Sequence, residues 1–277
     1  MGKIEYTSSH LGLKKNELYV VNYHGTQKKF LSNFKDQLLF FKKHFKIISP
    51  DQLNDFYTNR LGDSGPFLLL TFDDGIKNNL FAATILNELK LRAFFFIVPE
   101  FINAPIGSQK EYFTRNIRPD INSYIDSEPE DFQSFSWEDV STLITQGHFM
   151  GSHTLSHTLV AQTASIEKSI LEIKNSREQI TNQIKDVPAE ITSFCSINNT
   201  LESVGKKEMK LIKEQYIYHF TTIPGANLPS SDPLYIRRCN IESHWLPGAV
   251  KYALGKWDLK RWKKADEMYL NLLRTVQ

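Results

Sequence analysis

Seven short apolar runs, most of them followed by a stretch of helical periodicity, constrain this chain more than any other feature. The runs Tyr19–His24, Phe67–Asp73, Ala93–Pro99, Phe149–His153, Ile191–Ile197, His219–Ile223 and Tyr235–Ile241 read as strands, being rich in Phe, Ile, Val and Leu and closed by turn-forming residues. Within Phe30–Phe45 the residues Phe34, Leu38, Phe41 and Phe45 recur at helical intervals. Asn79–Lys90, Trp137–Gln146 (stopped by Gly147), Ser165–Ile184 and Glu202–Gln215 carry a similar signature. Such alternation predicts parallel strands joined by crossover helices. A doubly wound open sheet and a closed barrel both satisfy it. The polar residues favour the barrel: His24, Asp73, Asp74, His153 and Arg238 fall at or just past strand C-terminal ends, the rim where barrels assemble active sites.

Two segments break the alternation. Glu100–Ser136 is polar, carries Pro105, Pro119 and Pro129, and is too long for an ordinary connection. It reads as a loop insertion at about 100–136 that borders the rim, with Tyr112, Phe113 and Arg115 offering a stacking face and a cation to a substrate. The tail Lys251–Gln277 reads as a helix carrying Trp257, Leu259, Trp262, Tyr269, Leu270 and Leu273 with more Lys and Arg than acid. Its apolar face is expected to cap the barrel; peripheral membrane contact through the basic helix is the second reading. The expectation is one barrel domain over 1–277.

Composition excludes several classes. With 41% hydrophobic and 23% charged residues the chain is ordinary globular protein, and a net charge of +2 gives no electrostatic footprint for nucleic acid. Cys195 and Cys239 form neither a disulfide framework nor a zinc-cluster spacing, and fit a reducing compartment. The first residues lack an apolar h-region, and no stretch approaches the roughly 18–20 apolar residues that span a bilayer. A cytoplasmic protein is the expectation.

The chemistry concentrates in two blocks. Thr71-Phe72-Asp73-Asp74-Gly75 follows the apolar run Phe67–Leu70 and sets two carboxylates side by side, where repulsion and desolvation disfavour both charges. A turn at Gly75 lets both acids reach one rim, and a cation beside them relieves the repulsion. The second block, Gly151-Ser152-His153-Thr154-Leu155-Ser156-His157, spaces two histidines as on one face of a helical turn, a spacing by which imidazoles share a metal. Two histidines and one carboxylate leave coordination positions open for water and substrate.

In that order the two blocks resemble the polysaccharide deacetylase family, which includes chitin and peptidoglycan deacetylases. Tyr23-His24, the Trp137-Glu-Asp helix before Gly147, and Gly151-Ser-His153 support the resemblance, which spans about Tyr19 to Glu242. It implies an irregular (β/α)7 barrel, a divalent metal (most often Zn2+), and hydrolysis of an N-acyl group on an amino sugar or glycan-biosynthesis intermediate. It also implies Asp73 as general base, Asp74, His153 and His157 as metal ligands, and Arg238 as the arginine that orients Asp73. Physical chemistry agrees with those roles: a metal lowers the pKa of bound water from 15.7 toward about 7, and a carboxylate not committed to the metal can accept the proton.

The chain departs from the family pattern in two places. Phe194-Cys195-Ser196-Ile197-Asn198-Asn199 stands where relatives carry an Arg-x-x-Pro-Tyr or Tyr-Pro-x-Gly block. A backbone N–H of Ser196 or Ile197 can still serve an oxyanion, and Cys195 reads as a packed strand residue. No Leu-x-His block supplies a general acid, so His24 and His244 are the candidates to protonate the leaving amine. Two other classes compete with this reading. A degenerate sugar-binding or scaffolding barrel is suggested by the altered loop, but a binding-only protein needs no base. Phosphoryl transfer suits paired aspartates, but the histidines favour a zinc-like ion and no Gly-rich phosphate loop is present.

Overall fold

A computed structural model describes residues 13–119, 128–163, 165–184, 186–187, 189–197, 204–255 and 260–276. Strands β1 (Leu18–Tyr23), β3 (Phe67–Phe72), β4 (Phe94–Ile97), β5 (Phe149–Ser152), β6 (Ser193–Cys195) and β7 (Tyr218–Phe220) lie side by side in the order β7-β6-β5-β4-β3-β1, all parallel. The sheet curls until the segment after β7 bridges its ends. Ile236 pairs with Phe220 of β7, and β9 (Cys239–Asn240) pairs with Val21 and Asn22 of β1. The result is the irregular (β/α)7 barrel. Only two residues of the expected strand Tyr235–Ile241 are assigned to β9, because the segment exchanges hydrogen bonds first with one neighbour and then with the other.

The period-2 alternation of a strand decides what each residue faces. Leu18 and Val20 of β1, Phe67 and Leu69 of β3, Phe94 and Phe96 of β4, Cys195 and Phe220 form one buried cluster that fills the barrel. Their neighbours Tyr19, Val21, Leu68, Leu70, Phe72, Phe95 and Ile97 belong to a second cluster beneath the helices. The inner rows of β1 and β3 continue upward into polar residues, Asn22, Thr71 and Asp73, all buried. Gly151 has a local reason in β5: a Cβ there would stand 2.4 Å from the Phe96 ring.

Helices Leu31–His44, Asn79–Glu88, Trp137–Thr145 and Lys206–Gln215 occupy the expected places. The region read as Ser165–Ile184 is helical but interrupted by a π-type turn at Leu171–Asn175. Of the segment expected as a loop at 100–136, the first half is helical: helices Pro99–Asn103 and Ile106–Tyr112, then a second π-type turn, Phe113–Ile117, while residues 120–127 lie outside the described residues. Its prolines start these helices or lie outside them, so proline content misled the sequence reading. Short pieces the sequence did not announce are β2 (Lys46–Ile47), β8 (Ala226–Asn227) and the helix Leu53–Tyr57.

The tail forms two helices, Pro247–Gly255 and Lys260–Arg274, with Trp257 and Leu259 outside the described residues. Val250, Leu254, Ala265, Tyr269 and Leu273 are buried in the outer core, and the Tyr269 hydroxyl lies 2.6 Å from Nδ1 of His219 on β7. The apolar face is therefore spent on the barrel. Among the described residues no helix is long and apolar enough to cross a membrane.

Candidate active site

Asp73 stands where β3 leaves the barrel, its N–H donating to the Tyr23 carbonyl at 2.8 Å. Arg238, just before β9 on the far side of β1, holds it: Nη1 donates to Oδ1 at 2.7 Å and Nη2 to Oδ2 at 2.8 Å. The same guanidinium reaches the Thr71 hydroxyl at 3.1 Å, the Thr221 carbonyl at 2.8 Å and the Cys195 sulfur at 2.8 Å, and is itself fully buried. A planar fork with five donors suits this work; a lysine would satisfy one oxygen at a time. Burial pushes the Asp73 carboxyl up, but Arg238 and the nearby histidines outweigh it and hold the group below the usual carboxylate range. At neutral pH it is a carboxylate, ready to accept a proton.

Asp74, one residue on, has φ of 73° and Gly75 has 69°, so the chain turns sharply in left-handed backbone and sends the second carboxylate into the rim. His153 Nε2 lies 3.4 Å and His157 Nε2 3.2 Å from Asp74 Oδ1. The two histidines do not sit on a helical turn as their spacing suggested. Between them the chain is irregular, with φ of 66° at Thr154 and 65° at His157. Of the five non-glycine residues with positive φ among the described residues, three are Asp74, Thr154 and His157. Backbone strain thus gathers where the ligand atoms converge.

The tautomers follow from the partners. His153 Nδ1 is 2.9 Å from the Cys195 carbonyl and His157 Nδ1 is 2.7 Å from the Asn116 carbonyl, and a carbonyl can only accept. Each Nδ1 therefore carries a proton, and in the neutral rings both Nε2 lone pairs point at Asp74. Neither Asp74 oxygen has a hydrogen-bond donor although both are buried. Three lone-pair groups within 4.8 Å of one another, the two imidazoles each fixed from behind, fit a divalent cation. The protonation equilibria show the same demand for positive charge, which a proton on His153 would meet in place of a cation. Burial raises the Asp74 pKa, but the two histidines hold it far below the usual range; burial lowers His153, but Cys195, Asp73 and Asp74 hold it far above.

The remaining candidates separate. His24 ends β1 within electrostatic reach of Asp74 and Asp73; burial lowers its pKa, the two aspartates and Glu242 oppose this, and its Nδ1 is buried without a partner. His244 is exposed, its ring against Phe30 at 5.5 Å, and no contact brings it into the cluster. Of the two oxyanion donors considered, the Ser196 N–H is taken by the Phe220 carbonyl at 3.2 Å, which leaves Ile197. Asn198 and Asn199 lie outside the described residues. Cys195 is a buried strand residue whose thiol is pushed up by burial, as befits packing and not nucleophilic attack.

A cleft of about 530 Å³ opens beside His157, lined by Glu100, Tyr112, Arg115, Ser156 and Thr158 among others. Tyr112 and Arg115 lie on it as the sequence suggested. Phe113 does not: it is fully buried against Ile76, Val98, Phe101 and Ile117. Sequence reasoning missed Glu172 altogether. This buried carboxylate accepts the N–H groups of Leu155 and Ser156 (both 3.0 Å) and the Ser156 hydroxyl (2.7 Å), and no motif signals it.

The family profile described as polysaccharide deacetylase matches residues 62–204, just over half of the chain, including both blocks that build this centre. The chain belongs to the polysaccharide deacetylase family. Among solved structures it is similar to a polysaccharide deacetylase of Bacillus anthracis (18% identity, TM-score 0.63, 86% of this chain on 69% of that one). It is likewise similar to IcaB of Ammonifex degensii (17%, TM-score 0.59, 87% on 97%) and to a de-N-acetylase of Aggregatibacter actinomycetemcomitans (15%, TM-score 0.60, 86% on 100%). At these identities the structural likeness shows the fold. No curated protein sequence matches the chain. As a polysaccharide deacetylase it is a metal-dependent hydrolase that removes an N-acyl group from the amino sugar of a glycan.

Proposed function

We propose that Asp74, His153 and His157 hold a zinc-like ion, that Asp73 is the general base oriented by Arg238, and that His24 protonates the departing amine. The contrast between the two aspartates carries the proposal. Each Asp73 oxygen accepts one bond from Arg238 and the carboxylate keeps a lone pair free, whereas Asp74 has no donor and faces two imidazole lone pairs. Bound there, a divalent ion would polarise the acyl carbonyl and acidify water. Everything else falls to the chain. Asp73 takes the proton of the attacking water, and the Ile197 N–H is the backbone group left to stabilise the oxyanion. His24 delivers a proton to the nitrogen as the C–N bond breaks, and the cleft beside His157 seats the glycan through Tyr112 and Arg115. The test is acetate release from N-acetylated amino sugars, nucleotide-linked sugars, lipid-linked sugars and oligosaccharides, with Zn2+ and after chelation. Release from at least one class, lost on chelation and restored by Zn2+, is expected. Zinc-independent release, or zinc bound without release from any class, would contradict it.

A further inference from the structure

The loop Thr154–His157 carries one of the three ligands, yet it has no regular secondary structure of its own and contains two residues at positive φ. Something outside it must select that conformation, because left-handed backbone at non-glycine residues is costly unless its surroundings impose it. Both π-type turns among the described residues face this loop. Phe113–Ile117 presents the Asn116 carbonyl to His157 Nδ1, and Leu171–Asn175 presents the Glu172 side chain to the loop backbone. A π-type turn widens the helix and frees groups from the i→i−4 ladder, and such turns concentrate at functional sites.

Glu172 is only 3% exposed and its two oxygens divide the work. Oε2 accepts the consecutive N–H groups of Leu155 and Ser156, while Oε1 accepts the Ser156 hydroxyl, which also meets Thr158 at 2.7 Å. On the other side of the loop the Tyr112 hydroxyl donates to the Ser156 carbonyl at 3.1 Å. The residue immediately before His157 is thus held at its N–H, its carbonyl and its side chain. We propose that Glu172 is a positioning residue that sets the His157 imidazole for metal binding, touching neither metal nor substrate. This rests on the functional reading above, in which His157 is a ligand.

The proposal concerns hydrogen-bond geometry and not charge, and the variants separate the two. Glu172→Ala removes all three bonds. Glu172→Gln removes the charge but keeps one oxygen able to accept both N–H groups and an amide able to donate to the Ser156 hydroxyl. Zn2+ affinity of the full chain is measured by competition with a chromophoric chelator, alongside the melting temperature of the metal-free protein. Glu172→Ala should bind Zn2+ roughly 10–100-fold more weakly, the usual loss when a partner that orients a ligand is removed. Glu172→Gln should stay within a few-fold of the parent, and saturating Zn2+ should restore most of kcat in Glu172→Ala. Ser156→Ala, which removes one bond and retains two, should lose a few-fold and serves if Glu172→Ala does not fold. An affinity of Glu172→Ala within twofold of the parent, or a Glu172→Gln as weak as Glu172→Ala, would overturn the proposal. A parent chain that binds no Zn2+ would overturn the functional reading itself, which keeps the two failures distinct.

Discussion

Asp73 receives two charge-assisted hydrogen bonds from Arg238, while both oxygens of its neighbour Asp74 lack a donor. Identical side chains one position apart thus stand in opposite surroundings. Asp73→Asn should keep the metal and lower kcat by about 10²–10⁴-fold, the span expected for losing a positioned base; a near-normal kcat would remove Asp73 from that role. Arg238→Met should be costly in a different way, because it strands a buried carboxylate. A loss of about 3–5 kcal/mol in urea unfolding is expected, against a change near zero if the pair contributes nothing. The two histidine candidates also separate at this scale. His24→Ala should reduce kcat at least tenfold with metal retained and His244→Ala should leave it within a few-fold, and the reverse order would transfer the acid to the exposed ring.

Strands β1, β3 and β4 were legible because their period-2 rows obey one rule along their length: apolar inside, apolar outside, polar only at the rim. Phe67, Leu69, Thr71 and Asp73 form one such row, and it carries Asp73 to the rim. The segment Glu100–Ser136 was not legible as helix, since its polarity and prolines mimic a loop while Phe101, Phe113 and Ile117 bury a small core of their own. The His153–His157 spacing pointed to two rings that do converge on Asp74, but through the wrong conformation: positive φ at Thr154 and His157 has no sequence signature without glycine. Glu172 was invisible because its partners are backbone N–H groups, which every residue owns. The inserted helices give an element-scale prediction. Arg115, exposed and 2.8 Å from Glu111, borders the cleft, so Arg115→Ala should raise KM several-fold with kcat and metal content held. An unchanged KM on the verified substrate would make that segment structural.

The whole barrel is coupled to pH through histidines outside the Asp74, His153 and His157 cluster. His148 lies between β4 and β5 with its Nδ1 accepting the Ala93 N–H at 3.3 Å, and burial followed by the Arg92 charge lowers its pKa to about 4. In the unfolded chain it titrates near 6.5, so below that pH the unfolded state binds the proton more readily and stability falls as pH drops toward 4. The loss is on the order of 3 kcal/mol for His148 alone. His219, pushed by burial to about 3, acts in the same direction over a longer interval. His148→Asn, whose amide oxygen can take the Ala93 N–H, should flatten the decline between pH 6.5 and 4; a slope matching the parent would mean that His148 is not what resists protonation. The central claim, that one ion is held by Asp74, His153 and His157 beside an independent base, is tested most directly by metal stoichiometry of the purified chain after Zn2+ loading and desalting. About one Zn2+ per chain is expected in the parent and in Asp73→Asn, and well under half in His153→Ala and His157→Ala; equal loading of all four, or loss of zinc from Asp73→Asn alone, would contradict the account.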